Sequence, residues 1–295
     1  MEVRIDYEAL FESTTDLIRQ ASTQLPADIR RSLEKARDNE RNDSCRSALL
    51  QILENIALAE KNGTPICQDT GYPTFVVDLP EAYEPGRVRE VFKRALRTAT
   101  KRSLLRPNAV DILSGKNTGN NNGLMYPAVY FNETDSKQLS CRLLLKGGGS
   151  ENVSTQFKLP DASLSAGRDL EGVRKGLLNA VHQAQGFGCS PGVLGVSIGG
   201  DRAQGYALAK KQLLRPLTDK NDVKELAELE DTVLGQANSL GIGPMGFGGD
   251  TTLLGVKIGH AHRHPASFFV TVAYGCWALR RKTLRFDGQE GTIED

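Results

Sequence analysis

Glycine is concentrated in four short stretches, at residues 147–149, 186–192, 241–249 and 255–259. A residue without a side chain turns through positive φ and lets backbone approach a neighbour or a ligand closely. A chain built this way must join its elements by tight turns, or bring bare backbone against something bound. Between the clusters lie apolar segments of two periods. Ala48, Leu49, Ile52, Leu53, Ile56 and Ala57 repeat at helical spacing, and Asn62-Gly63 ends that helix. Residues 85–102 read as an amphipathic helix with Val88, Val91, Phe92, Ala95 and Leu96 inward, and 169–185 and 222–240 read as two more. Residues 74–79, 128–131, 139–145, 193–198, 253–258 and 267–274 read as strands, with Gly199-Gly200-Asp201 turning the fourth into a helix that reaches Leu214. The reading is mixed α/β: a helical N-terminal part over 1–62, then a sheet-bearing region. It forms one domain to residue 285, and 286–295 are a polar tail expected to fray.

Several function classes drop out on charge and targeting. Lys and Arg number 37 against 36 Asp and Glu, a net charge of +1 in 295 residues, so no global field recruits nucleic acid or an acidic membrane. Met1–Tyr7 carries Glu2, Arg4 and Asp6 and no apolar run, which does not read as a signal peptide. The longest nearly apolar stretch, 266–279, falls short of the ~20 residues a spanning helix needs. Five widely spaced cysteines make no disulfide framework, which places the chain in a reducing cytoplasm or organelle matrix, the cytoplasm being the expectation.

Gly241-Ile242-Gly243-Pro244-Met245-Gly246 matches the dinucleotide fingerprint, but it follows a helix rather than a strand, and Pro244 removes a backbone donor. A nicotinamide oxidoreductase is therefore set aside. His260, His262 and His264 alternate, and a strand would present all three on one side. With four histidines in the chain, one functional histidine is favoured over a three-histidine metal site. Cys67, Cys189 and Cys276 sit beside glycine or proline in polar turns, whereas Cys45 lies in a helical pattern and Cys141 in a strand pattern. Buried element cysteines usually act as small hydrophobes. The three loop thiols read either as unrelated free cysteines or as ligands to three irons of a 4Fe–4S cluster, leaving the fourth iron open as a Lewis acid.

The stretch Cys67-Gln68-Asp69-Thr70-Gly71 resembles the signature of the class I, iron–sulfur fumarate hydratases and the related L(+)-tartrate dehydratases. The resemblance continues, in the family's order, through Leu105-Arg106-Pro107-Asn108, Asn117-Thr118-Gly119-Asn120, the Lys146–Asn152 loop, Cys189-Ser190-Pro191, Arg263-His264 and Gly275-Cys276-Trp277. It covers residues 50–285. One departure is Ser190, where the family usually has a proline; this is expected to loosen the turn while keeping the thiol.

The resemblance implies that Cys67, Cys189 and Cys276 hold a 4Fe–4S cluster. It implies that Asp69 and His264 take part in catalysis, and that Gln68, Arg106, Lys146, Gly148 and Gly149 contact a dicarboxylate. A guanidinium such as that of Arg106 grips a carboxylate bidentately. The bland alternatives are a turn cap for Asp69 and a surface arginine for Arg106. The implied reaction is reversible hydration of fumarate to L-malate. Tartrate dehydration by an α subunit of that enzyme and a non-catalytic cluster-binding subunit are the alternatives. Residue 295 falls where two-subunit members divide their chains. The expectation is therefore an α subunit needing a β subunit that supplies the base, in an α2β2 complex.

Overall fold

The computed structural model describes residues 5–295; the Met1–Arg4 part of the N-terminal reading lies outside the described residues. The helices are α1 (Tyr7–Thr23), α2 (Ala27–Asn39), α3 (Asp43–Asn62), α4 (Pro85–Lys101), α5 (Gly148–Asn152), α6 (Leu170–Ala184), α7 (Arg202–Gln212) and α8 (Lys224–Asn238). The strands are β1 (Tyr72–Pro80), β2 (Ala128–Thr134), β3 (Leu139–Lys146), β4 (Thr155–Lys158), β5 (Gly192–Ile198), β6 (Leu253–His260), β7 (Phe269–Gly275), β8 (Arg280–Phe286) and β9 (Gly291–Glu294). The fold class is mixed α/β with a helical N-terminal part, as the periodicities predict. No helix among the described residues is long and apolar enough to cross a membrane.

The chain forms two compact units. The first takes the described residues up to Pro26, Asn55–Gly147 and Ala278–Asp295; the second takes Ala27–Glu54 and Gly148–Trp277. In the first, a five-stranded sheet runs β2-β1-β3-β8-β9, with β1 and β2 parallel and the other pairs antiparallel. Val88, Val91, Phe92, Ala95, Leu96 and Ala99 form the buried stripe of α4, spaced at three and four residues as a helix face requires. That stripe and the buried face of α1 pack on Phe75, Val77, Leu143 and Leu145 of the sheet. Phe75 and Phe92 stack with centroids 4.4 Å apart. Asp6 caps α1, accepting from the Glu8 and Ala9 amides.

The second unit holds a four-stranded sheet, β4-β7-β5-β6. Every residue of β5 is buried, because it pairs with β6 and β7 and is covered by α7. Asp201 and Gln204 form a reciprocal capping box that starts α7 directly after the Gly199-Gly200 turn.

Residues 286–295 do not fray. They complete β8 and form β9, which pairs with β8 through Thr283–Phe286. Opposite charges hold the pairing: Arg285 meets Glu294 at 3.0 Å, and Lys282 pairs with Asp295. A polar sequence looked frayed because what holds it comes from across the sheet: strand pairing, these ion pairs, and the packing of Phe286 and Ile293 on the core.

Candidate active site

In the first unit, the site is a set of loops tied to the head of β1. Thr70 is buried, and its Oγ1 accepts from the Arg106 amide at 3.0 Å and from Asn108 Nδ2 at 3.2 Å. Asn121 is also buried. Its Oδ1 accepts from the Asn108 amide at 2.8 Å, while its Nδ2 donates to the Arg106 carbonyl at 2.8 Å and to Thr100 Oγ1 at 2.9 Å. One polar frame therefore carries both the 67–71 loop and the 105–108 loop. Asp69 caps its own turn, its Oδ1 accepting from the Gly71 amide at 3.0 Å. Gly71 has φ +87°, and a β-carbon there would stand 2.7 Å from the Leu145 carbonyl carbon, so only glycine fits this contact between the loop and β3.

The register puts Tyr72 opposite Lys146, whose side chain is buried at the end of β3. Tyr72 and Tyr126 pack edge to face at 4.4 Å. Burial pushes the Tyr126 phenol up, with Tyr72 and Asp69 adding to the shift. Gln68 and Arg106 are exposed, and Cys67 is half-buried. Asp69, Arg106 and Lys146 thus belong to one framework; Thr70, Asn108 and Asn121 build it. Sequence reasoning assigned no role to Thr70 or Asn121, because short polar residues in loops give no periodic signal.

In the second unit, pairing of β5 with β7 sets Val193 opposite Gly275. Cys189, just before β5, therefore lies across from Cys276, just after β7, and the Trp277 amide donates to the Cys189 carbonyl at 3.1 Å. Cys189 has φ +56°, a left-handed conformation that is uncommon outside glycine and tends to persist where the surroundings dictate it. The expected loosening at Ser190 does not occur. Its buried hydroxyl donates to the Gly243 carbonyl at 2.7 Å, and its carbonyl accepts from the Met245 amide at 2.9 Å. A hydrogen bond holds the turn at the position where the resemblance led to the expectation of a proline ring.

Tyr274 of β7 packs its ring against bare backbone. A β-carbon at Gly188 would stand 2.5 Å from the ring, and one at Gly192 would overlap the ring and hydroxyl. Burial pushes this phenol up, and the Cys276 and Cys189 thiols add to the shift. Gly148 and Gly149 are exposed at the start of α5.

His264 lies in an exposed loop beyond β6. Its Nδ1 accepts from the Ala266 amide at 3.1 Å, so the neutral ring carries its proton on Nε2. Arg263 organises the loop, donating to the carbonyls of His264, Pro265 and Ser267 while covering the Phe268 ring. β6 ends at His260, so the three histidines do not share a strand face. Among the described residues, no three His, Cys, Asp or Glu side chains are gathered as a metal site.

The five thiols divide as their sequence contexts suggest. Cys45 and Cys141 are buried, and desolvation raises both thiols. Cys67, Cys189 and Cys276 are half-buried and unbridged. Two of these soft donors are neighbours in the second unit, beside a buried tyrosine hydroxyl with no hydrogen-bond partner. That donor set fits a sulfur-ligated iron centre.

A mixed α/β chain with half-buried loop thiols, and with a polar frame beneath an exposed arginine, describes a class; the sequence comparisons give the family. The fumarate hydratase (Fumerase) family model matches residues 11–285, and the chain belongs to that family. It is 50% identical over 291 residues to a Geobacillus stearothermophilus protein bearing the provisional name fumarate hydratase class I; the match covers 97% of this chain. The chain spans about half, 56%, of that relative's length. A Methanocaldococcus jannaschii protein provisionally named L(+)-tartrate dehydratase subunit alpha is 36% identical over 93% of this chain and 97% of its own. The L(+)-tartrate dehydratase subunit alpha of Escherichia coli K12 is 32% identical over 93% of this chain and 90% of its own.

Proposed function

We propose that this chain is the α subunit of a cytoplasmic iron–sulfur hydro-lyase, acting as one functional domain over 1–285, and that the substrate pair is fumarate and L-malate. The observation that carries the reading is the Thr70–Asn121 frame, which ties the Asp69 turn to the Arg106 loop. An acid–base residue and the backbone of a carboxylate-binding arginine held in one frame, with the guanidinium left exposed for substrate, suit a dicarboxylate hydro-lyase. The 50% identity to the protein named fumarate hydratase favours fumarate. L(+)-tartrate is the second reading, favoured by two relatives matched over nearly their whole length.

Cys67, Cys189 and Cys276 would hold a 4Fe–4S cluster, which when bound supplies a Lewis-acidic iron with an open position. Arg106 binds one substrate carboxylate through parallel N–H donors. Lys146 adds a cation, and Gln68, Gly148 and Gly149 add polar contacts. Asp69 has one oxygen committed to the Gly71 amide, which fixes the plane of its carboxylate. His264 presents the proton on Nε2 toward the leaving or incoming oxygen. The base that takes the carbon-bound proton comes from a β subunit in an α2β2 complex, so the isolated chain binds iron and sulfide but turns over poorly.

The test is anaerobic purification with and without a β subunit, followed by kcat/KM for L-malate and for L(+)-tartrate. A brown preparation with about four irons per chain, active with malate only when β is present, supports the reading. Full activity of the isolated chain overturns the split site, and preference for tartrate reverses the substrate.

A further inference from the structure

Tyr274 is the largest polar side chain in the second unit's apolar core, 1% exposed, and its hydroxyl oxygen has no hydrogen-bond partner. Natural proteins rarely leave a buried hydroxyl unpaired, and each exception asks for an explanation. A phenylalanine would satisfy every packing demand of the site. A β-carbon on Gly192 would overlap the hydroxyl, and one on Gly188 would stand 2.5 Å from the ring, so the side chain lies close against both bare positions. These two glycines flank Cys189. Its main chain is fixed as well, the Tyr274 amide donating to Ser154 Oγ at 3.1 Å. Cys276 follows two residues on, just past the end of β7. The phenol is therefore held, without a partner, against the backbone on either side of Cys189 and close in the chain to Cys276.

We infer that the Tyr274 hydroxyl donates a hydrogen bond to a sulfur of the iron–sulfur centre, either an inorganic sulfide or one of the thiolates of Cys189 and Cys276. This rests on the proposed ligation by those cysteines. Hydrogen bonds to cluster sulfurs set reduction potential, and outer partners of metal ligands govern retention of the metal. The donor would make the centre easier to reduce and slower to lose its iron.

The experiment compares wild type with Tyr274→Phe, both as cluster-free protein and after anaerobic reconstitution. Cluster-free Tyr274→Phe is expected to melt at the same temperature as wild type or higher, because an unpaired buried hydroxyl is gone. The reconstituted variant is expected to melt below wild type, to have a lower reduction potential, and to release iron to a chelator at least about tenfold faster. Wild type reconstituted in D2O should show shifted Fe–S stretching bands, part of that shift being absent in Tyr274→Phe. Equal chelator release and potential in the two loaded proteins would overturn the inference, as would equal loss of melting temperature with and without cluster. A D2O-insensitive Raman spectrum of wild type overturns it without any variant. Wild type that takes up no iron and sulfide instead sinks the ligation itself, a result distinct from a loaded pair that behaves alike.

Discussion

The thiol loop of the first unit and the thiol turn of the second are held by different physics. Around Cys67, short polar side chains do the holding: buried Thr70 and Asn121 thread hydrogen bonds through segments that have little regular structure. Around Cys189 and Cys276, the backbone holds itself: strand pairing aligns the two positions, glycines admit a tyrosine ring, and a left-handed cysteine closes the turn. A loop lacking apolar anchors must be fixed by satisfied polar groups, and each one removed leaves its buried partners unpaired. A turn fixed by close packing has one such side chain to lose, the Ser190 hydroxyl, and tolerates no added volume.

Three substitutions probe that contrast. Gly192→Ala should have the largest effect, lowering stability by about 3 kcal/mol as its methyl meets the Tyr274 ring; denaturant midpoints measure it, and a neutral result would mean the cradle is not tight. Asn121→Ala removes four hydrogen bonds, the fourth from the Tyr126 hydroxyl, and should cost about 2 kcal/mol. In the assembled enzyme it should also raise KM for the dicarboxylate more than it lowers kcat, since it frees the loop carrying Arg106; an unchanged KM would cut the link between frame and substrate. Ser190→Ala leaves the Gly243 carbonyl without its buried donor and should cost about 1 kcal/mol. No loss there would show that the turn rests on strand pairing alone.

The smallest effect is electrostatic. The Arg41 guanidinium holds the half-buried Asp250 carboxyl down at about 2, against an ordinary 3.8. A carboxyl lowered by folding stabilises the fold above its unfolded value, and that contribution fades as pH falls from near 4 toward 2. Thermal melts of wild type and Asp250→Asn should differ slightly at neutral pH and converge at the acid end of that window. Salt should shrink the difference.

Most of the regular elements were legible because burial imposes a period. The stripe of α4 and the apolar run of β5 fall on predicted positions, and the Gly199-Gly200 turn falls where its glycines stand. β8 was not legible: it begins Arg280-Arg281-Lys282, all three buried, and no local pattern announces a charged strand inside. β4 is short and half-buried, and β9 depends on partners across the sheet. Of the site, the named motifs pointed to Asp69, Arg106, His264 and the three loop cysteines. The residues that hold those loops stayed hidden, because Thr70, Asn121 and Arg263 gain their roles only once distant segments meet.

The hydrogen bond between His264 Nδ1 and the Ala266 amide divides one ring into two independent devices. One nitrogen is a structural pin; the other, in the proposed mechanism, is a valve open to a single proton at a time. Side-chain amides can imitate the halves separately. An asparagine reaches the pin and leaves the valve empty; a glutamine places an N–H near the valve and abandons the pin. The loop can therefore be tested apart from the chemistry, and a histidine that looks like one residue can be inherited, or lost, as two.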